Sequence, residues 1–178
     1  GGIGYTLLKA TGFDVQKSLV EESMLDTAKK LMDKYGDKIV LPRDFVITDK
    51  FDFANQKVGN LERNVTKIKE GWESFDLGEA SIDHALSILE KAGTVLWNGP
   101  IGAFEIKEGS VGTTRLSIEL AKMAEKGKIV IIGGGDSAAA VKTAGVSDKM
   151  THVSTGGGAS LEFLERLTLP GISALDSD

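Results

Sequence analysis

IVIIGGGDSAAAV (residues 129–141) decides the fold class. An apolar run long enough for one buried strand meets three glycines, and small residues suited to a short helix follow. Glycines at such a turn let the backbone approach a ligand closely, and Asp136 falls where a helix N-cap belongs. A helix start offers free N–H groups and partial positive charge, so it favours an anion. A carboxylate there repels phosphate unless a divalent cation lies between them. Gly134, Gly135, Asp136 and Ser137 therefore suggest a Mg2+–phosphate site, against the plainer alternative of a capped helix after a tight turn. Spacing alone leaves both open. The run is neither a Walker A loop, since no Gly-Lys-Ser/Thr follows, nor a GxGxxG dinucleotide fingerprint.

Working outward, the same rhythm recurs. TVLW (94–97) reads as a buried strand, followed by a helix near 110–126 that Gly127 stops. KIVII (128–132) precedes a helix over 136–144 that Gly145 stops, and MTHVS (150–154) precedes a helix over about 158–166. Strand, glycine turn and helix, three times over, predict an α/β fold: a doubly wound, Rossmann-like, mostly parallel sheet with helices on both faces, a three-layer sandwich. Ligands of such sheets bind beyond the carboxyl ends of the strands. TVLWNGPIGAFE (94–105) puts Asn98, a phosphate donor, at one such end, with Glu105 seven residues on as a partner for ribose hydroxyls. The alternative makes Trp97 and Phe104 core and Asn98 a turn residue. THVSTGGGASLEFLE (151–165) repeats the pattern without an acid, so its amides suit a bare phosphate. His152, inside an apolar strand, reads as structural, and His84 as a surface residue.

Upstream, residues 18–35 predict an amphipathic helix with Val20, Met24, Ala28, Leu31 and Tyr35 on one face, Ser18 and Glu21 as a capping box, and Gly36 as the stop. KIVL (38–41) and DFVIT (44–48) predict two strands around Leu41-Pro42. Residues 52–71 are patternless, a surface loop or small hairpin. A helix with Ile82, Ala85, Leu86 and Leu89 on one face follows. The 178 residues suit one ordinary domain. No stretch approaches the roughly 20 apolar residues of a membrane-spanning helix, and GGIGYTLLKA (1–10) lacks the regions of a signal peptide. Zero cysteines exclude disulfides and thiolate metal sites and fit a cytoplasmic protein. A net charge of −5 argues against sequence-independent nucleic-acid binding.

NGPIGAFE (98–105), IIGGGDSAAAV (131–141) and STGGGASLEFLE (154–165), in this order and separation, resemble phosphoglycerate kinase closely. The opening GGIGYTLLKA, SLVEE (18–22), LPRDFVITDKF (41–51) and the closing LPGISAL (169–175) match too, so the resemblance covers essentially the whole chain. It implies the nucleotide-binding half of a monomeric, two-domain kinase, with the half's first strand or strands and the triose domain absent. A doubly wound order then sets LPRDFVIT on one side of the missing strands, with TVLW and KIVII on the other. The family transfers phosphate between 1,3-bisphosphoglycerate and ADP, giving 3-phosphoglycerate and ATP, with Mg2+. By resemblance Asp136 holds the metal, and Asn98 and Ser137 contact nucleotide phosphates. Glu105 takes the ribose, Gly1 and Gly2 line the adenine site, and Gly156 and Gly157 present amides to the phosphoryl group in flight. Such chemistry is positioning and charge neutralisation, which explains why no nucleophile appears.

One departure bears on the base. The family's Trp-Met-Gly-Leu-Asp stretch is here Trp72-Glu73-Ser74-Phe75-Asp76, so Phe75 is the residue left to cover a purine and base selectivity is open. A free-standing nucleotide module and a nicotinamide-dependent dehydrogenase are the competing classes. The second expects GxGxxG and an acid about 20 residues on, where this sequence puts its acid at the helix start.

Overall fold

The computed structural model describes residues 1–173, which divide into two compact units: 1–91 with 100–116, and 92–99 with the residues from 117 onward. Ala174 and Leu175 of the closing LPGISAL lie outside the described residues.

The first unit opens with helix α1 (Gly2–Ala10), followed by a single 3-10 turn and helix α2 (Leu25–Tyr35). The helix expected from residue 18 begins only at 25, and no capping box forms. Ser18 is buried, and its Oγ accepts the Ser74 N–H at 2.9 Å, so it is not free to cap. Of the expected apolar face only Ala28 is buried; Met24, Leu31 and Tyr35 are exposed. Gly36 does close the helix, its N–H reaching the Met32 carbonyl. KIVL forms no strand. The N–H groups of Lys38 and Ile39 are spent on turn carbonyls after the helix, and Pro42 has none to give.

Strand β1 (Phe45–Thr48) is buried at all four residues. The region from 52 to 71 holds the small hairpin β2 (Phe51–Asp52) with β3 (Lys57–Val58), and also a strand absent from the sequence pattern, β4 (Leu61–Val65). β5 (Glu73–Leu77) is a second unexpected strand. β4 and β5 flank β1, both antiparallel. This corrects the placement of LPRDFVIT in the parallel sheet. A strand buried on both faces needs hydrogen-bond partners along both edges, and β4 and β5 supply them.

α3 (Glu79–Leu89) buries Ile82 and Leu86 as its periodicity predicts. Its cap comes from outside the helix. Asp44, 4% exposed, accepts the N–H groups of Ala80 (3.1 Å) and Ser81 (2.7 Å) and the Ser81 hydroxyl (2.6 Å). Tyr5, Leu8, Val15, Phe45, Ile47 and Ile68 form the core of this unit.

The second unit carries the expected rhythm. β6 (Thr94–Asn98), helix α4 (Val111–Glu125, of which 111–116 belong to the first unit), β7 (Ile129–Gly133), α5 (Gly135–Thr143), β8 (His152–Ser154), α6 (Gly157–Arg166) and α7 (Pro170–Ser173) follow in order. β6, β7 and β8 make a parallel sheet in that order. The α/β class with a Rossmann-like parallel sheet therefore stands. Gly127 and Gly145 close α4 and α5 at φ of 89° and 70°, a conformation that suits glycine. Val95, Trp97, Leu120, Val130, Ile132 and Val141 are buried. No helix among the described residues is long and apolar enough to cross a membrane.

Candidate functional site

In the second unit three strand ends meet. Parallel register sets Asn98 beside Gly133, and Gly133 beside Ser154. One residue on, Gly134 donates its N–H to the Ser154 carbonyl at 2.9 Å. Its φ of 97° and ψ of 149° lie where essentially only glycine goes. Gly134 is thus the N-cap of α5, and Asp136 sits inside the first turn, two residues beyond the cap position expected of it. The glycine's freedom lets the chain turn straight into the helix without a side-chain cap. Gly157 crosses it so closely that a Cβ on Gly157 would stand 2.7 Å from the Gly134 Cα. Asn98 completes the cluster, its Nδ2 directed at the Gly157 carbonyl at 3.4 Å.

Ser137 is fully buried, and its Oγ accepts the Gly99 N–H at 2.6 Å. The Trp97 indole donates to the Gly99 carbonyl at 2.6 Å, so the Asn98-Gly99 turn is held from two sides. Asp136 and Gly135 are exposed, and the Asp136 carboxylate meets no hydrogen-bond or ion-pair partner among the described residues. Gly156 spends its N–H on Ser154 Oγ at 3.2 Å. The N–H groups of Gly157, Gly158 and Ala159 open α6 with no intrahelical acceptor, Ser160 being the first to bond back, to the Gly156 carbonyl at 3.0 Å. The result is two neighbouring helix starts with bare amides and one unpaired carboxylate. His152 lies at the other end of β8, opposite Ile131 and exposed, away from this cluster. His84, half-buried, meets Arg43 at 2.9 Å.

In the first unit the remaining expected residues gather around the segment 100–112. Glu105 is exposed on it, with no bond of its own among the described residues. The Gly1 nitrogen donates to the Ile101 carbonyl at 2.8 Å, and the Phe75 carbonyl accepts the Ala103 N–H at 2.8 Å. Gly2 opens α1, its carbonyl taking the Thr6 hydroxyl at 2.8 Å. The Phe75 ring is buried, 5% exposed, and packs on Phe51 with centroids 5.4 Å apart.

Sequence reasoning gave no role to Asp76, which is fully buried on β5. An acid between an aromatic and a leucine was the available signal. Its Oδ1 accepts the Leu77 N–H (2.8 Å) and its Oδ2 the Gly112 N–H (2.9 Å). Burial pushes this carboxyl up to about 6, outweighing those two donors and the positive charge of Arg63. Burial likewise raises the Tyr5 phenol, which shares a 2.8 Å hydrogen bond with Ser74.

Comparison with known proteins places the chain in a family. The family model for phosphoglycerate kinase matches residues 1–166. The chain belongs to the phosphoglycerate kinase family. A Picosynechococcus protein named phosphoglycerate kinase is 48% identical over 178 residues, covering 99% of this chain and 44% of that protein. The Arabidopsis thaliana protein named cytosolic phosphoglycerate kinase 3 is 48% identical over 180 residues, with the same coverage. The solved phosphoglycerate kinase of Coxiella burnetii superposes with a TM-score of 0.84 at 38% identity, over 99% of this chain and 44% of that one. The chain thus spans less than half the length of the relatives it matches.

Two expectations follow for this phosphoglycerate kinase family member. Gly157→Ala forces a Cβ against backbone and should cost about 1–3 kcal/mol in urea melts. Gly158→Ala, with nothing within 4 Å of its Cβ, should change stability by less than about 0.5 kcal/mol. Equal losses would contradict the contact. Asp76 carries a folded pKa above its unfolded value of about 3.9. Its stabilising contribution is therefore full below pH ~4 and lost as pH rises through about 6. A shift of this size is worth on the order of 3 kcal/mol. The stability of the wild type relative to Asp76→Asn should fall by about that much between pH 4 and pH 7. A flat difference would mean that the carboxyl titrates normally.

Proposed function

We propose that this chain is the nucleotide-binding part of a kinase that transfers phosphate between 1,3-bisphosphoglycerate and ADP, giving 3-phosphoglycerate and ATP. The observation that carries the reading is the meeting of Asn98, Gly134 and Gly157 at the carboxyl ends of β6, β7 and β8, beside an unpaired Asp136. Family membership supplies the reaction.

The residues of the second unit take the phosphates. The amides of Gly135 and Ser137 at the start of α5, with Asn98 Nδ2, hold nucleotide phosphate oxygens, while Gly134, whose own N–H is spent on the Ser154 carbonyl, lets the backbone come close to them. The Ser137 hydroxyl is committed to Gly99, so its backbone N–H is the part that serves. Asp136 holds Mg2+. No group of three or more acids or histidines able to hold a metal occurs among the described residues. A single carboxylate beside phosphate suits a magnesium ion that keeps most of its shell as water and phosphate oxygens. Bound there, the ion neutralises phosphate charge. The Gly157 amide, with Gly156 beside it, faces the phosphoryl group as an ADP oxygen forms its bond to phosphorus and the carboxylate oxygen of 3-phosphoglycerate leaves. No proton changes hands and no covalent enzyme intermediate is needed, so preorganised charge and position carry the acceleration. The residues of the first unit take the adenosine: Gly1 and Gly2 the adenine, Glu105 the ribose hydroxyls, and Phe75 backs the base from its buried position.

The triose substrates bind elsewhere in the complete protein, which we read as a cytoplasmic monomer without nucleic-acid or membrane partners. Relatives include proteins named cytosolic, from Arabidopsis thaliana, and chloroplastic, from Volvox carteri.

Calorimetry on the complete gene product tests the metal. Mg2+ should tighten ADP binding at least about tenfold, and Asp136→Ala should bring that factor below about twofold, in line with the loss of one charge-assisted contact. Equal enhancement in both proteins overturns the assignment. Residues 1–178 expressed alone should show no turnover in a coupled assay. Without a bound triose the orientation term, about 7–11 kcal/mol, is lost. Turnover within tenfold of the complete enzyme would refute this.

A further inference from the structure

We propose that Asp76 is a positioning residue, which clamps the 100–112 segment from beneath and so sets Glu105 for the nucleotide's ribose. The proposal rests on the reading of Glu105 given above. Asp76 meets the segment at two points ten residues apart, one on each side of Glu105. At the far point its Oδ2 accepts the Gly112 N–H at 2.9 Å, and a Cβ on Gly112 would lie 2.7 Å from Oδ1. At the near point a Cβ on Gly102 would collide with the carboxylate. The backbone therefore rests directly on the acid at both points, and only residues without a side chain allow it.

Neighbouring contacts remove the remaining freedom. The Thr113 hydroxyl oxygen accepts the N–H groups of Ile101 (3.2 Å) and Gly102 (3.3 Å). The Ala103 N–H is held by Phe75, next to Asp76 in β5. Ile106, 2% exposed, plugs the core one residue after Glu105, and its N–H returns to the Ala103 carbonyl at 3.0 Å. Glu105 stands exposed between anchored neighbours.

A packing role alone does not call for an acid. Burying a carboxylate is costly, and a neutral side chain would fill the volume with less penalty. What the acid supplies is an acceptor on each arm. Gly112 N–H and Leu77 N–H approach different oxygens, and an amide in the same place turns one arm into a donor facing an N–H. The segment and its strand cannot then both be satisfied.

The test uses the complete gene product and separates binding from turnover. Asp76→Asn should raise the nucleotide KM and the calorimetric Kd for ADP about tenfold. The 3-phosphoglycerate KM should stay unchanged, and kcat should fall no more than about twofold. A residue that merely stabilised the fold would lower the active fraction, and so kcat, without moving one KM alone. Glu105→Gln should weaken ADP to a similar degree. In the Glu105→Gln background Asp76→Asn should add less than about twofold, because both act through one contact. If Asp76→Asn does not fold, Gly102→Ala, which lifts the segment off an intact carboxylate, should show the same split. Wild-type nucleotide affinity in Asp76→Asn, or effects that multiply with Glu105→Gln, overturns the clamp while leaving the ribose reading in place. Wild-type affinity in Glu105→Gln removes the ribose reading and the clamp with it.

Discussion

Gly134 and Gly157 touch backbone to backbone, and the second unit is arranged around that contact. Parallel strands advance about 3.3 Å per residue in step, so β6, β7 and β8, paired in register, end at one level. Each strand then has to turn within a residue or two at that same level, where the next chain is doing likewise. A side chain at either glycine would hold the two helix starts apart. With none, the first amides of α5 and α6 open side by side, and Asn98 fills the space between them with a side chain that is itself polar. Close packing and the proposed anion binding have one geometric origin, because the atoms left bare by glycine are N–H groups with no intrahelical acceptor.

The first unit solves a different problem. Its central strand, β1, is buried on both faces and bordered by antiparallel strands, so its polar needs are met along its length. The ends are where charge enters. Asp44 precedes β1 and caps α3 from outside. Asp76, near the end of β5, receives the start of α4 through Gly112. Two buried acids thus replace the side-chain caps that these helices lack in their own sequence. The cost of desolvation is accepted because each N–H would otherwise be orphaned, at about 1–3 kcal/mol apiece.

What could be read in the sequence follows the range of the interactions concerned. The βα rhythm from residue 94 onward was legible because apolar runs, glycine turns and helical periodicity are all local. Their limits came within a residue or two. β4 and β5 were not legible. Leu61–Val65 reads Leu-Glu-Arg-Asn-Val and Glu73–Leu77 reads Glu-Ser-Phe-Asp-Leu, and neither alternates cleanly. They are strands because β1 lies between them, a long-range cause. Ser18 misled for the same reason. Its spacing to Glu21 suits a capping box, but Ser74, 56 residues away, takes its oxygen. At the candidate site the residue types were legible and the division of labour was not: nothing local distinguishes the Ser137 hydroxyl, spent on Gly99, from its amide.

The three aspartates make the limit concrete. Asp44, Asp76 and Asp136 each lie near a helix start in space, but only Asp136 is read as a cap from its place in the sequence. Asp44 is buried, with three donors on its carboxylate, so its charge is met from within the protein and is closed to a ligand by burial. Asp76 is buried with one donor on each arm, too few to offset its desolvation, and its carboxyl is pushed up accordingly. Asp136 is exposed and unengaged, two residues past the N-cap of α5. An acid that has missed the cap position gains little from its own helix. Its two oxygens accept nothing among the described residues, which is why the proposed magnesium role falls to Asp136 and not to Asp44 or Asp76.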